Sequence, residues 1–344
     1  MRVSMLGTFI RLAAGLTHGL AILVLPAHAD SVEDFYKGKS ITLVIGYSVG
    51  GGYDVYARLL ARHLGKHIPG QPAIVPQNRE GAGSLRATQF LYAGAPKDGT
   101  FIGTFSRSMA VAPLLTDAQF DATKFTWLGS VSTDVNLCIT WHASPVKTWD
   151  DMVTKPFTAG GLGANSDPDI FALMFRNVFG AKLKLVTGYP GTNDVALAME
   201  RGEVDGMCGV SWSTVKTRHL DWVKTKKINL IIQAGLQKEP EVGNVPIVTD
   251  LVKDPEQMQM IKLILASQAM ARPFAAPPGI PEDRKRALIK AFEDAMKDPE
   301  FLAEAQKMKA DINPVSAATI DKLLAEVYRT PKDIVAKAAK AIAN

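Results

Sequence analysis

The chain has 344 residues, 47% of them hydrophobic and 21% charged, a composition that excludes disordered and collagen-like chains. Its 39 basic and 34 acidic side chains are spread without a basic block, so no nucleic-acid partner is expected. Beyond the first 29 residues no uninterrupted apolar run is long enough to span a bilayer, which sets aside an integral membrane protein.

Residues 1–29 read as a signal peptide. Arg2 and Arg11 form its positive region, residues 12–25 are mostly apolar, Pro26 ends them, and Ala27-His28-Ala29 fits a cleavage site. Cleavage after Ala29 puts a mature chain starting at Asp30 outside the cytoplasm. No cysteine stands at the cut, so no lipid anchor is expected. The 315 residues that remain of the 344 correspond to two domains.

The mature chain opens with a β-branched strand at 40–46, a glycine-rich turn at 48–53, and a helix to about His67 capped by Asp54. A strand at 73–77, the turn Gly81-Ala82-Gly83-Ser84, a helix to about Ala93, and a strand at 101–105 follow. From Asp134 a second series has strands at 157–160, 184–187, 206–209 and 228–233, with helices at 168–179, 193–201 and 213–225. Strands alternating with helices predict parallel sheets covered by helices. After Ala234 come an extended run at 268–274, a proline-rich stretch at 275–281, and helices to the end. Asp298-Pro299, Ser316 and Thr330-Pro331 are the start signals for the last three.

Several motifs point to chemistry. Gly46-Tyr47-Ser48-Val49-Gly50 matches G-x-S-x-G between a strand and a helix, which makes a secreted serine hydrolase using Ser48 the alternative reading. Against it, the turn follows the first strand, no oxyanion segment precedes it, and no histidine lies in the helical tail. Gly81–Ser84 lacks a third glycine and a following Lys-Ser or Lys-Thr, so a nucleotide cofactor is not expected. His63 and His67 stand four apart without the H-E-x-x-H pattern, and no metal site is read from them. Cys138 and Cys208 lie in strand-like runs. They are either a disulfide or two buried unpaired thiols, and a bridge requires the two strands to be neighbours.

What remains is a set of small-residue turns at strand ends, at 48–53, 81–84, 106–108, 160–166 and 189–192. Ligands of open α/β sheets bind beyond the carboxyl ends of the strands. Two such sheets facing each other make an anion trap of N–H donors, hydroxyls and helix N-termini, with no catalytic residue required.

An ordered set of fragments carries a family resemblance. These are Phe35-Tyr36-Lys37-Gly38-Lys39, Gly50-Gly51-Gly52-Tyr53-Asp54, Asn78-Arg79-Glu80-Gly81-Ala82-Gly83-Ser84, Ala95-Pro96-Lys97-Asp98-Gly99-Thr100 and Gly202-Glu203-Val204-Asp205. Together they resemble the periplasmic solute receptors of tripartite tricarboxylate transporters, the Bug or TctC family. The resemblance implies a type II periplasmic-binding-protein fold of two α/β domains, 30–133 plus 235–344 and 134–234, with a ligand cleft between them. It further implies a non-enzymatic periplasmic protein that takes a small organic carboxylate, works as a monomer, and serves two membrane components of a transporter. A sensory receptor of the same fold is the other role this resemblance leaves open.

Carried onto this chain, the loops that hold the carboxylate are Ser48–Asp54 and Gly160–Asp167, with Tyr189–Thr192 beside them. The ligand-binding candidates are Tyr47, Ser48, Gly51, Gly52, Tyr53 and Asp54 around the first loop and, from the residues themselves, Ser106 and Arg107 after the third strand. Gly161, Asn165, Ser166, Tyr189, Gly191, Thr192 and Trp212 belong to the second domain. Arg107 is the candidate charged partner for the carboxylate, and Tyr53 and Trp212 are placed to flank an apolar body. Gly209-Val210 stand where many relatives carry an acidic or amide residue, so an amino-acid ligand is not expected.

Overall fold

The computed structural model describes residues 31–344, and the signal peptide expected at 1–29 lies outside them. Eleven strands among the described residues build two sheets. They are β1 (Ser40–Ile45), β2 (Ala73–Asn78), β3 (Phe101–Thr104), β4 (Thr126–Ser130), β5 (Asn136–Trp141), β6 (Phe157–Gly160), β7 (Leu183–Val186), β8 (Gly206–Ser211), β9 (Ile228–Ala234), β10 (Pro273–Ala276) and β11 (Val315–Ser316). The first sheet has the order β11-β4-β10-β3-β1-β2 and the second β7-β6-β8-β5-β9. Every strand of the second sheet lies between residues 136 and 234, whereas the first collects strands from both sides of that stretch.

The sheets are mixed, not purely parallel. β1 runs parallel to β2 and β3, and β6 to β7 and β8, as helical crossovers require. β5 runs antiparallel to β8 and β9, and β10 to β3 and β4. The physical reason is that β5 is entered from the first sheet through the short segment 131–135, with no crossover helix to turn the chain back. The chain reaches β10 by recrossing at 266–272, after the helix Pro255–Leu265 has packed on the second sheet.

Helices of seven residues or more are numbered α1 (Gly52–Leu64), α2 (Asp167–Phe179), α3 (Thr192–Glu200), α4 (Trp212–Arg218), α5 (Pro255–Leu265), α6 (Glu282–Ala295), α7 (Pro299–Met308), α8 (Ala317–Val327) and α9 (Lys332–Ala341). α1 buries Tyr56, Leu59, Leu60 and Leu64 at helical spacing. Its N-cap is Gly51, not Asp54. Asp54 is one turn further in, where its carboxylate accepts the Gly50 N–H at 2.9 Å and holds Arg58 and Asn78, each at 2.9 Å. The helix expected at 213–225 breaks at His219, whose ring stacks on Trp222 at 4.1 Å. Burial lowers the pKa of that imidazole to about 4. The run expected to be extended at 268–274 is instead a 3-10 turn, Ala266–Met270, followed by β10 opening at Pro273, where a missing N–H does least harm.

The helical tail covers both sheets. Leu288 and Phe292 of α6 and Phe301 of α7 pack with Ile41 and Leu43 of β1. Ile320 and Leu324 of α8 join Phe105 and Trp127. Ile261 and Ile264 of α5 and Ile334 and Ala338 of α9 pack instead with Phe171 and Phe175 of α2 and Ile232 of β9. No helix among the described residues is long and apolar enough to cross a membrane.

Cys138 and Cys208 stand opposite each other in the β5–β8 pair and are disulfide-bonded. The bridge closes a loop of 70 residues, so chain entropy makes its contribution about 3 kcal/mol or somewhat more. Reduction is therefore expected to lower the melting temperature by roughly 5–10 °C, read by differential scanning calorimetry with and without dithiothreitol. An unchanged melting temperature would show that the bridge carries no stability.

Candidate functional site

The carboxyl ends of β1 and β6 and the loops after them face each other across a cleft. Each strand ends in a glycine turn and passes directly into a helix, so α1 and α2 present their N-termini to it. Gly51, Gly52 and Tyr53 at the start of α1, Asp167 and Pro168 at the start of α2, and Thr192 at the start of α3 all line one cavity. Ser211 and Thr214 bring in the start of α4, and Tyr47, Leu162, Gly209, Arg107 and Arg272 complete the wall. The caps of α1 and α3 are Gly51 and Gly191, which offer no side-chain oxygen, so the N–H groups of Gly52, Tyr53 and Thr192 are left for a ligand.

Gly209 permits this convergence. Its φ is +107°, and a Cβ there would lie 2.6 Å from the Asp167 backbone, so only glycine lets β8 pass this close beneath the start of α2.

Two guanidinium groups form the charged floor. Arg107 is only 1% exposed, and its Nε lies 2.7 Å from Asp167 Oδ2, although the N–H is poorly aligned along that line. Its other nitrogens reach Gln268 Oε1 at 3.1 Å, Asn136 Oδ1 at 3.3 Å, and the Ser211 hydroxyl. Burial alone would lower the Arg107 pKa, but the Asp167 charge beside it raises it overall, so the guanidinium stays charged. Arg272, equally buried, donates to Ser211 Oγ at 3.2 Å, Ser213 Oγ at 2.9 Å and Thr214 Oγ1 at 3.0 Å. Its nearest carboxylate is Asp134 at 3.7 Å, its Nε has no hydrogen-bond partner, and the rings of Tyr53 and Tyr56 flank it at 4.9 and 5.1 Å. Burial raises the phenols of Tyr47 and Tyr53, which keeps both neutral.

Direct hydrogen bonds close the cleft around this cavity. Ser48 Oγ donates to Asp194 Oδ2 at 2.7 Å, and the Ser48 N–H reaches Pro190 O at 3.3 Å. Gly83 N donates to Leu162 O at 3.0 Å, Thr116 Oγ1 to Asn165 Oδ1 at 3.1 Å, and the Ser108 hydroxyl to Asn165 O. Held this way, the cavity has room for only a few water molecules, and a ligand enters only when the sheets part.

Of the residues expected from sequence, Tyr47, Gly51, Gly52, Tyr53, Arg107 and Thr192 line the cavity. Others hold its walls. Ser166 caps α2 and donates to Asp169 Oδ1 at 3.0 Å, Ser106 bonds Ser108 at 2.7 Å, and the Gly161 carbonyl takes the Gly188 and Tyr189 N–H groups, both at 3.1 Å. Ser48, Asn165 and Gly191 belong to the closure contacts, where a Cβ on Gly191 would overlap Ser48 Oγ. Asp54 serves α1. Trp212 is turned away, with its indole N–H on Glu241 Oε2 at 2.6 Å, and is not among the lining residues. Ser48 has a carboxylate as its partner, not an imidazole, whereas His63 and His67 bond Glu304 at 2.7 Å and Asp298 at 3.0 Å on α7 and its cap. His63, Asp298 and Glu300 come together closely enough to hold an ion, but the Lys66 ammonium already occupies the two carboxylates at 2.6 and 2.5 Å.

Sequence reasoning missed Arg272, Ser211 and Thr214. Arg272 carried a readable signal: it is the only charged residue from Leu263 to Pro281, and an isolated charge within an apolar stretch is buried only where something pairs with it.

Residues 56–339 match the family model described as the tripartite tricarboxylate transporter family receptor. A protein of Cupriavidus necator, described as the UPF0065 protein in the gbd 5' region, is 23% identical over 338 residues, covering 94% of each chain. The periplasmic binding protein BugD superposes with a TM-score of 0.71 at 19% identity, covering 88% of this chain and 98% of its own. MatC from Rhodopseudomonas palustris, solved with bound malate, gives 0.68 at 19% identity, covering 87% and 99%. The two-sheet architecture is thus similar to that of known periplasmic binding proteins.

Proposed function

Because this chain belongs to the tripartite tricarboxylate transporter receptor family, we propose that it captures a small organic carboxylate between its two sheets and delivers it to two membrane components of a transporter. The observation that carries the carboxylate is the meeting, in one buried cavity, of two guanidinium groups with the uncapped N-termini of α1 and α3. The malate complex of MatC supports the same chemistry. On this reading the protein binds without reacting, is a periplasmic monomer whose signal peptide is cut after Ala29, and closes 30–133 plus 235–344 onto 134–234 by a hinge.

The test is a thermal-shift screen of the mature protein against a panel of carboxylic acids. A ligand at 100 times its Kd stabilises the fold by about 2.7 kcal/mol, a visible shift. Silence across the panel, repeated on protein refolded free of ligand, would count against carboxylate capture. The hydrolase alternative is separated by Ser48→Ala. Loss of the Ser48–Asp194 bond is expected to weaken binding by roughly threefold to tenfold, with no ester turnover by either protein. Ester turnover abolished by the substitution would reverse the reading.

A further inference from the structure

We propose that the cleft selects monocarboxylates, and that Asp167 is the residue that turns dicarboxylates away. This inference rests on the carboxylate reading above and narrows it. Among the described residues the cavity wall carries two cations, Arg107 and Arg272, and each already faces a carboxylate of the protein itself. Asp167 Oδ2 takes both the Arg107 Nε contact at 2.7 Å and the Asn136 Nδ2–H bond at 2.8 Å, and Asp167 is itself part of the wall. Asp134 stands 3.7 Å from Arg272. Asp169, 3% exposed and two residues along α2, adds a further negative charge. Its partners are all neutral: the N–H groups of Leu162 at 2.6 Å and Gly163 at 3.0 Å, and the hydroxyls of Ser166 and Thr187.

The buried charge around the cavity is therefore already balanced or negative before any ligand arrives. What remains for an incoming anion is the Arg272 Nε–H, the one nitrogen of that guanidinium without a hydrogen-bond partner, and the N–H groups of Gly52, Tyr53 and Thr192 at the starts of α1 and α3. Each helix end is equivalent to about half a positive charge. That set matches one carboxylate. A second carboxylate on the same small molecule would share the cavity with Asp167 and find no unpaired cation, and like charges brought together in a desolvated site repel strongly. Asp167 stands where a second ligand carboxylate would be held, so the protein supplies that group itself. The rest of the wall, Tyr47, Tyr53, Leu162 and Pro168, suits an uncharged body.

Calorimetric titration of the mature protein with butanoate against butanedioate, and hexanoate against hexanedioate, tests this directly. The wild-type protein is expected to bind the better monoacid at least tenfold tighter than the diacid of equal length. In Asp167→Asn, which keeps the shape and an acceptor oxygen, that ratio is expected to fall at least tenfold. Diacids bound as tightly as monoacids by the wild-type protein would overturn the proposal without touching carboxylate capture. A ratio unchanged in Asp167→Asn would overturn the role of Asp167. If that variant fails to fold, the wild-type ratio still decides selectivity. No binding of any acid would overturn both readings together.

Discussion

Arg272→Gln is expected to abolish carboxylate binding and to lower the unfolding free energy by about 3–5 kcal/mol, the range found when one partner of a buried ion pair is removed. The Arg272 guanidinium holds three hydroxyls from one end of α4, at Ser211, Ser213 and Thr214, and partly balances Asp134 on the crossing segment. Glutamine is shorter and neutral. It takes their shared donor from all three hydroxyls, of which Ser211 keeps Arg107 and Asn136. It also leaves Asp134 with only its hydrogen bonds, from the Val135 N–H at 2.8 Å and from the N–H (3.4 Å) and hydroxyl of Ser213. Arg272→Lys keeps the charge but not the planar fork, and is expected to recover stability in part and binding little. Urea denaturation followed by fluorescence, paired with ligand titration, measures both effects. Binding by Arg272→Gln within threefold of wild type would remove the arginine from the site.

Gly191→Val is expected to weaken ligand binding by about a hundredfold or more while leaving the ligand-free melting temperature nearly unchanged. The backbone there is extended, with φ of −168°, so any residue fits it locally. The clash lies across the cleft, where the new side chain would occupy the space of the Ser48 hydroxyl. The substitution acts as a wedge between the lobes: each folds as before, but the closed state becomes rare. A hundredfold loss corresponds to a competent population of about 1%, since apparent affinity falls with the populated fraction. Small-angle scattering with saturating ligand should show the variant staying expanded under conditions where the wild-type protein contracts. Equal affinities would show that closure does not need the Ser48–Asp194 contact.

The strand, glycine turn and helix that begin the first sheet were legible because each has a local cause: β-branched residues, glycine, and apolar spacing of 3.6. The last three helices were legible for the same reason, as Asp298, Ser316 and Pro331 cap them in the structure. Arg107 was legible as a charge directly after a strand. The partners of Arg107 were not. Asp167, Asn136, Ser211 and Gln268 come from α2, β5, β8 and the 3-10 turn before β10, and meet only because two crossing segments run side by side. Nothing in the spacing of α5 and α9 says that they cover the second sheet while α6, α7 and α8 cover the first. That choice depends on which apolar faces are still open once both sheets exist. Asp54 misled for a related reason. Its residue type announces a cap, but the helix already begins at Gly52, and from inside the first turn Asp54 reaches back to the Gly50 N–H.

The unequal ancestry of the two sheets has a kinetic consequence. The second sheet draws all five strands from residues 136–234, so a chain emerging from its N-terminus holds every one of them well before its end appears. The first sheet cannot finish until β10 and β11 arrive, and its pairings join residues as distant as Thr104 and Phe274. Closing such long loops is slow, and exposed strand edges invite association while they wait. The middle of the chain is thus expected to pair its strands first, with the outer segments assembling around it and the tail helices α5 and α9 completing its core last.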